Sequence, residues 1–394
     1  MKKKLLFVIE SLVCAGAEKS LVTLLNILDY SKYDVDLQLF SYGGEFQPLV
    51  PKEVNLLPQL PYFESTSGSL MKSLLKSPKK GIARLRYSVL LRRGEYTNPQ
   101  KAVLFWKSVH KCFSASKKKY DIAIAYAQGT PTFYVADCIQ ADKKFAWVNV
   151  TYKLDGRFRE FVSKYYRKYN KVNCVSESTR EVFKSVFPEY VDKAVLIYDI
   201  NDYKTVLKFS QLSSSAQTDM EYDGIKLFTV GRLSMMKGYD IAVAACRILK
   251  DRGIKVRWYV LGRGALESEI KKDIRDKGLE SDFILLGTRA NPYPYYKQAH
   301  IYVQTSRFEG FGLAIAEARM LNIPVVTTRF DAVYAQMVEN ENGLVVDMTP
   351  KAVADAIRRL IEDKKLYEHI RQYQINEKKG NTEEIEKFYQ LLES

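Results

Sequence analysis

Apolar runs of four to seven residues recur along the chain, and between them lie longer stretches in which apolar positions return every third or fourth residue. The short runs read as strands buried on both faces, the longer stretches as amphipathic helices. Their alternation predicts an α/β protein with parallel sheets. In the first half the predicted strands are Leu5–Ile9, Val35–Phe40, Ile122–Tyr126, Phe145–Val148, Lys171–Val175 and Ala194–Ile197, and helices are predicted to begin at Gly16, Pro131, Arg157 and Ser178. The segment from Pro48 to about Thr97 breaks this rhythm and reads as long, partly helical excursions.

A polar stretch, FSQLSSSAQTDMEYDG, then interrupts the pattern at residues 209–224 and predicts a linker. The rhythm resumes with strands Leu227–Val230, Val256–Leu261, Phe283–Leu286, Ile301–Gln304 and Val325–Thr328. Helices follow at Pro350–Glu362, Lys365–Gln374 and Glu383–Leu392. The organisation expected is a first domain over 1–208, a linker over 209–224, a second domain over 225–376 and a terminal helical segment over 377–394.

The 394 residues suit two domains, and a 46% hydrophobic content supplies two cores. Five scattered cysteines, odd in number and without a C-x-x-C pair, indicate neither a disulfide framework nor a zinc site, which suits a reducing compartment. The opening MKKKLLFVIES imitates a signal peptide, but Leu5–Ile9 is shorter than the roughly 7–15 apolar residues a signal requires, so a first strand is expected instead. No run approaches the ~18 apolar residues of a membrane-spanning helix.

The net charge of +15 is unevenly spread: residues 1–200 carry 32 Lys and Arg against 19 Asp and Glu, and residues 201–394 carry 29 against 27. Lys72 to Lys119 holds 14 basic residues and one acid, Glu95, interleaved with Leu90, Leu91, Phe105, Trp106 and Phe113. This predicts a basic amphipathic surface suited to an anionic membrane. The stretch lacks the aromatic or metal-binding signatures of nucleic-acid binders, so no nucleic-acid partner is expected.

Ligands of open parallel sheets gather at the carboxyl ends of the strands, and the unusual residues cluster there. Gly231 and Arg232 follow one strand, Gly262, Arg263 and Gly264 the next, Arg307, Glu309 and Gly310 a third, and Gly16 opens the helix after the first strand of the chain. Lys237, near the start of a helix, is badly placed beside the helix dipole unless an anion faces it. With the planar fork of Arg232 it reads as a clamp for a phosphate or diphosphate. In EGFG, glycines flank Phe311 and bring backbone N–H groups to a helix N-terminus at Leu313, where anionic oxygens fit. Glu317 falls on the inner face of that helix, beside Ala316, Met320 and Leu321. A lone buried carboxylate is costly, so a polyhydroxylated ligand accounts for both Glu309 and Glu317.

The motifs CAGAEKSL with Gly16 and Glu18, VGRLSMMKG, VLGRGALE, LLGTRANPYPYYKQAHIYVQTSRFEGFGLAIAEA, and the Glu-x7-Glu spacing of 309 to 317 resemble the GT-B glycosyltransferases of the large retaining class, the fourth family of the sequence classification. The resemblance is strongest to bacterial capsular and exopolysaccharide members. It implies two Rossmann-like domains with parallel sheets facing a cleft, an acceptor domain first and a nucleotide-sugar donor domain second, and a C-terminal helix crossing back to the first.

It further implies that Arg232 and Lys237 grip the donor diphosphate, Glu317 holds the ribose, Glu309 touches the transferred sugar and the backbone at Phe311, Gly312 and Leu313 meets sugar and phosphate. Gly16 and Gly231 approach the donor, as do Gly262 and Gly310, and Arg289 sits where similar enzymes contact the base. The implied reaction is retaining transfer from a nucleotide-diphosphate sugar, with uridine the commonest base, to a glycan or lipid-linked acceptor, needing no metal and no cofactor. It implies a cytoplasmic enzyme, peripheral at the inner face of the membrane, in surface polysaccharide synthesis.

The sequence departs from the pattern at Asn149, where close relatives carry a histidine, and at Tyr198-Asp199, where Y-N is usual. Asn149 can hydrogen-bond a sugar but cannot shuttle a proton. A noncatalytic membrane adaptor that binds nucleotide sugar, or a nucleotide-sugar epimerase on the same fold, therefore stands as an alternative. Asp34-Val-Asp36 has the form of a metal-binding D-x-D but opens a strand away from the other motifs, and Glu267 stands where the third glycine of a dinucleotide fingerprint belongs.

Overall fold

The computed structural model describes all residues except 1, 14, 67–76, 151–153, 213–214 and 290. The chain forms two compact units, residues 1–198 with 383–394, and residues 199–382.

Among the described residues the first unit has a seven-stranded parallel sheet of β1 (Lys3–Ile9), β2 (Tyr33–Leu39), β3 (Val54–Leu56), β4 (Lys119–Ala125), β5 (Gln140–Val148), β6 (Lys171–Cys174) and β7 (Ala194–Leu196). Their order is β3-β2-β1-β4-β5-β6-β7. Leu5 to Ile9 are all buried, as the continuous apolar run requires of a strand covered on both faces. Leu6 and Val8 join a core with Val103, Trp106 and Phe133, while Phe7, on the opposite face, stacks on Phe388 at 6.1 Å between ring centroids. Phe388 belongs to the helix Glu384–Glu393, so this helix completes the first unit.

The second unit has a six-stranded parallel sheet among its described residues: β8 (Ile225–Val230), β9 (Val256–Leu261), β10 (Phe283–Leu285), β11 (Ile301–Gln304), β12 (Val325–Thr328) and β13 (Gly343–Val346). The order is β10-β9-β8-β11-β12-β13. One face buries Leu227, Trp258 and Val303 against helices Tyr239–Asp251 and Pro350–Glu362. The other buries Phe228, Tyr259 and Tyr302 with Tyr296 and Ile315, from helices Tyr293–Gln298 and Leu313–Met320. Both units are Rossmann-like α/β sandwiches, as expected.

Three expectations are corrected. The division falls between Tyr198 and Asp199 rather than at 209–224. Ala216 and Met220 are buried in the second core beside Tyr293 and Tyr295, so the polar composition of this stretch conceals anchoring side chains. The strands β3 and β13, three and four residues long, went unpredicted: β3 carries Asn55 at its centre and β13 opens on Gly343, so neither reads as an apolar run.

The apolar residues that interleave the basic segment lie inward. Trp106 is fully buried, and Leu90, Leu91, Phe105 and Phe113 pack on the first core. Lys72 and Lys76 of that segment lie outside the described residues. Asp36 of the D-x-D look-alike is buried and accepts hydrogen bonds from Lys118 and Tyr120, both at 2.6 Å, and from Asn55 at 2.9 Å, a structural role. The cysteines among the described residues are free thiols.

Candidate functional site

In the second sheet β8 continues to β9 on one side while β11 lies on its other side, so the β8/β11 boundary is the topological switch point where open α/β sheets bind ligands. The loops after these two strands carry Gly231, Arg232 and Lys237, and Glu309 to Gly312. The loops that carry these motifs therefore lie next to one another at one edge of the sheet.

The two loops are laced through their backbones. The N–H of Arg307 donates to Met236 O at 2.8 Å, and Thr305 Oγ1 donates to Lys237 O at 3.0 Å. Gly238 adopts a left-handed φ of +62°, and a Cβ there would stand 2.1 Å from Thr305 O, so only glycine lets the loops approach this closely. The Arg307 guanidinium forks onto Asp240 at 2.8 and 2.6 Å and reaches Met235 O at 3.2 Å, clasping the second loop to the helix after β8. Arg307 thus serves architecture here and lowers the pKa of Asp240 by its hydrogen bonds and charge.

Lys237 ends a single 3-10 turn, Met235–Lys237, one residue before the helix Tyr239–Asp251. Its Nζ forms an ion pair with Glu309 Oε1. The anion that the sequence requires opposite this cation is therefore present within the protein. The same Oε1 accepts hydrogen bonds from Gln304 Nε2 and Ser306 Oγ, each at 2.6 Å. Tyr302 donates to Gln304 Oε1 in turn. Tyr302, Gln304 and Ser306 alternate, so they share one face of the extended chain as it leaves β11 and aim a polar ladder at Glu309. The signal was available as Tyr302, Gln304 and Ser306 at every second position where the apolar strand gives way to polar residues. Burial pushes the Tyr302 hydroxyl far above the usual range, so it remains a donor.

Arg232 is exposed and its side chain makes no hydrogen bond or ion pair among the described residues. Gly231 accepts at its carbonyl from Tyr239 OH at 2.8 Å. Gly262 is required by close approach, since a Cβ would stand 1.9 Å from Gly231 O; it packs the β8 and β9 loops together.

Gly312 caps the helix Leu313–Met320 in the left-handed region, with φ 83°. The first N–H groups of any helix lack intrahelical acceptors, and here the turn of Gly310 and Phe311 leads directly into them. Gln336 Nε2 donates to Phe311 O and, at 3.1 Å, to Gly312 O, fixing that turn from the loop after β12; sequence reading gave no hint of it. Glu317 is buried and accepts from Tyr296 OH at 3.2 Å. Arg289 Nε donates to Tyr295 OH at 3.0 Å and Nη2 to Asp219 at 3.2 Å, while Tyr295 OH donates to Asp219 at 2.5 Å. Arg289, in the loop after β10, is thereby tied to the helix Tyr293–Gln298 and to Asp219 before β8.

In the first unit the corresponding switch point lies between β1 and β4. Gly16 opens the helix Gly16–Ile27 after β1. Asn149, after β5, donates from Nδ2 to Tyr126 O at 2.8 Å and from its backbone to Gln128 Oε1 at 3.0 Å, joining the loops after β4 and β5. Its Oδ1 is buried without a hydrogen-bond partner among the described residues. Tyr198 and Asp199 mark the crossing between units: Tyr198 N–H donates to Glu384 at 3.0 Å, and Asp199 O accepts from Asn381 Nδ2 at 3.0 Å.

Residues 213–377 match the family described as glycosyl transferases group 1. Among similar proteins, the capsular polysaccharide biosynthesis glycosyltransferase CapM of Staphylococcus aureus is 30% identical over 158 residues, 38% of this chain and 40% of CapM. The poly(glycerol-phosphate) alpha-glucosyltransferase of Bacillus subtilis is 26% identical over 273 residues, 66% of this chain and 37% of that enzyme. The chain thus spans about two-fifths of the length of the curated relatives it matches. Anabaena HepE, whose crystal structure holds UDP and glucose, superposes with a TM-score of 0.69 at 18% identity, over 94% of this chain and 93% of HepE. That likeness is one of fold, the two-domain GT-B architecture.

Proposed function

We propose that this protein is a glycosyltransferase that moves a sugar from a nucleotide-diphosphate sugar to a glycan acceptor in bacterial surface polysaccharide synthesis. The observation that carries the reading is the meeting of Arg232, Lys237, Glu309 and the Gly312-capped helix N-terminus at the β8/β11 switch point, within the group 1 region. UDP is the favoured nucleotide, in keeping with the UDP bound to HepE.

Transfer breaks the anomeric C–O bond and leaves negative charge on the departing diphosphate. Arg232, Lys237 and the helix N-terminus are the groups that stabilise that charge, with no divalent ion required. Donors of this kind are each worth about 10²–10³ in kcat. Glu317 accepts from ribose hydroxyls and Glu309 from hydroxyls of the transferred sugar. Arg289 lies toward the base. Retention follows if the acceptor oxygen attacks from the face the diphosphate leaves, the leaving phosphate oxygen taking the acceptor proton. This route needs no base at Asn149. The acceptor is lipid-linked, and the enzyme works at the cytoplasmic membrane face, held by its basic first unit.

Calorimetric titration against UDP, GDP, ADP and CMP, with and without EDTA, tests the reading. Selective binding to one diphosphate, unaffected by EDTA and weakened at least tenfold in Lys237→Ala and Glu317→Ala, is expected. No binding to any nucleotide would refute it. Loss of turnover in EDTA, restored only by a divalent ion, would refute the metal-free route.

A further inference from the structure

The helix Pro78–Leu91 has two apolar faces. Gly81 and Ala83 are buried, and Tyr87, Leu90 and Leu91 pack on the first core. On the other side Ile82, Leu85 and Val89 are 60%, 43% and 40% exposed. At about 100° per residue these three fall within an arc of about 60°, forming a stripe rather than scattered surface residues. Four exposed cations frame it: Lys79 and Arg86 beside the stripe, and Arg92 and Arg93 at its C-terminal end. None of the four forms an ion pair among the described residues. From Pro78 to Gly94 the sequence contains no Asp, Glu, Asn, Gln or His.

We infer that the helix Pro78–Leu91 is a membrane-insertion element that buries Ile82, Leu85 and Val89 among the acyl chains of an anionic bilayer while its cations meet the headgroups. An aliphatic stripe framed by one sign of charge matches an interfacial helix lying in the membrane plane. The cations reach headgroup level on long apolar stems, and the lipid surface supplies the missing negative charge. A protein partner is disfavoured by the lack of any acid or amide that could fix the register of such an interface. The inference deepens the proposed membrane association, which basic charge alone would satisfy. It differs in requiring apolar burial by three named residues, while the aromatic side chains of the segment stay inside the core.

The test is co-sedimentation of the full chain with vesicles of equimolar phosphatidylcholine and phosphatidylglycerol, and with phosphatidylcholine alone. A variant carrying Ile82→Gln, Leu85→Gln and Val89→Gln is compared, with UDP titration as a check on its second unit and thermal melting as a check on its fold. A second variant, Leu85→Trp, reports depth through quenching by brominated acyl chains. Binding of the wild type to the anionic vesicles only, weakened about tenfold or more in the triple variant with melting unchanged, and quenching of the introduced indole, are expected. Equal binding of the triple variant, an unquenched indole, equal binding to neutral vesicles, or no binding to either vesicle would each overturn the inference. Vesicle binding without any nucleotide binding would instead refute the transferase reading and leave this one standing.

Discussion

Replacing Glu309 by glutamine keeps the shape of the side chain and an acceptor for Gln304 and Ser306 but removes the charge that faces Lys237. A diphosphate oxygen reaching Nζ from the opposite side would stand about 5–6 Å from Oε1, two hydrogen-bond lengths away. At an effective dielectric of about 20, the repulsion between the two negative charges is roughly 3 kcal/mol. Lys237 and Glu309 keep side-chain exposures of 22% and 12%, and screening by that water reduces the figure to about 1.5 kcal/mol. Glu309→Gln is therefore expected to bind UDP about tenfold more tightly, while kcat falls because the transferred sugar loses a carboxylate acceptor. Lys237→Met should weaken UDP binding. Calorimetry at low and high salt reads both changes. If Glu309→Gln weakens UDP binding as Lys237→Met does, Glu309 holds the lysine in place for the nucleotide rather than competing with it, and the reasoning fails.

Further outcomes are expected from the same geometry. Gly238→Ala places a Cβ against Thr305 O in a left-handed backbone; a loss of about 2–4 kcal/mol in denaturant unfolding is expected, and a change under ~0.5 kcal/mol would show that the loops part easily. Tyr296→Phe removes the hydroxyl that donates to buried Glu317 and should cost about 1–2 kcal/mol, measurable by thermal melting. Asp240, held below the usual carboxylate range by Arg307, contributes stability that is fully present above its unfolded pKa and is lost as pH falls through its lower folded value. Asp240→Asn should thus lower stability at neutral pH by at most ~1 kcal/mol, since both partners are more than a third exposed, and the gap from wild type should close in acid.

The α/β alternation was legible because central parallel strands such as β1 carry continuous apolar runs, here Leu5–Ile9, and no other element buries both faces over so short a length. Among the edge strands, β7 and β10 were legible as apolar runs, but β3, with Asn55 at its centre, and β13, which opens on Gly343, were not. At the site, the identities of Arg232, Lys237, Glu309 and Glu317 stood out as charges beside apolar strands. What sequence could not supply was their partnership: Lys237 meets Glu309 across 72 positions because two loops converge at a sheet boundary, and strand order is not written in local pattern. The same blindness affected Arg307, whose partner Asp240 lies 67 positions away. In the basic segment, Trp106 and Phe113 looked like surface residues because lysines surround them in sequence, while the fold turns them inward to stack on one another at 5.2 Å.

The helix Glu384–Glu393 wedges Phe388 between Phe7 of β1 and Trp147 of β5, and its Tyr389 stacks on Tyr33 and accepts from the Asp29 N–H at 3.0 Å. The sheet of the first unit therefore lacks part of its cover until residues 199–382 have been synthesised. During translation the earlier-made unit must wait, with β1 and β5 exposed on one face, while the later-made unit is free to fold at once. Shortening the chain by this helix would then injure the unit farthest from it in sequence, and the order in which the two units become protease-resistant on the ribosome should be the reverse of the order in which they are made.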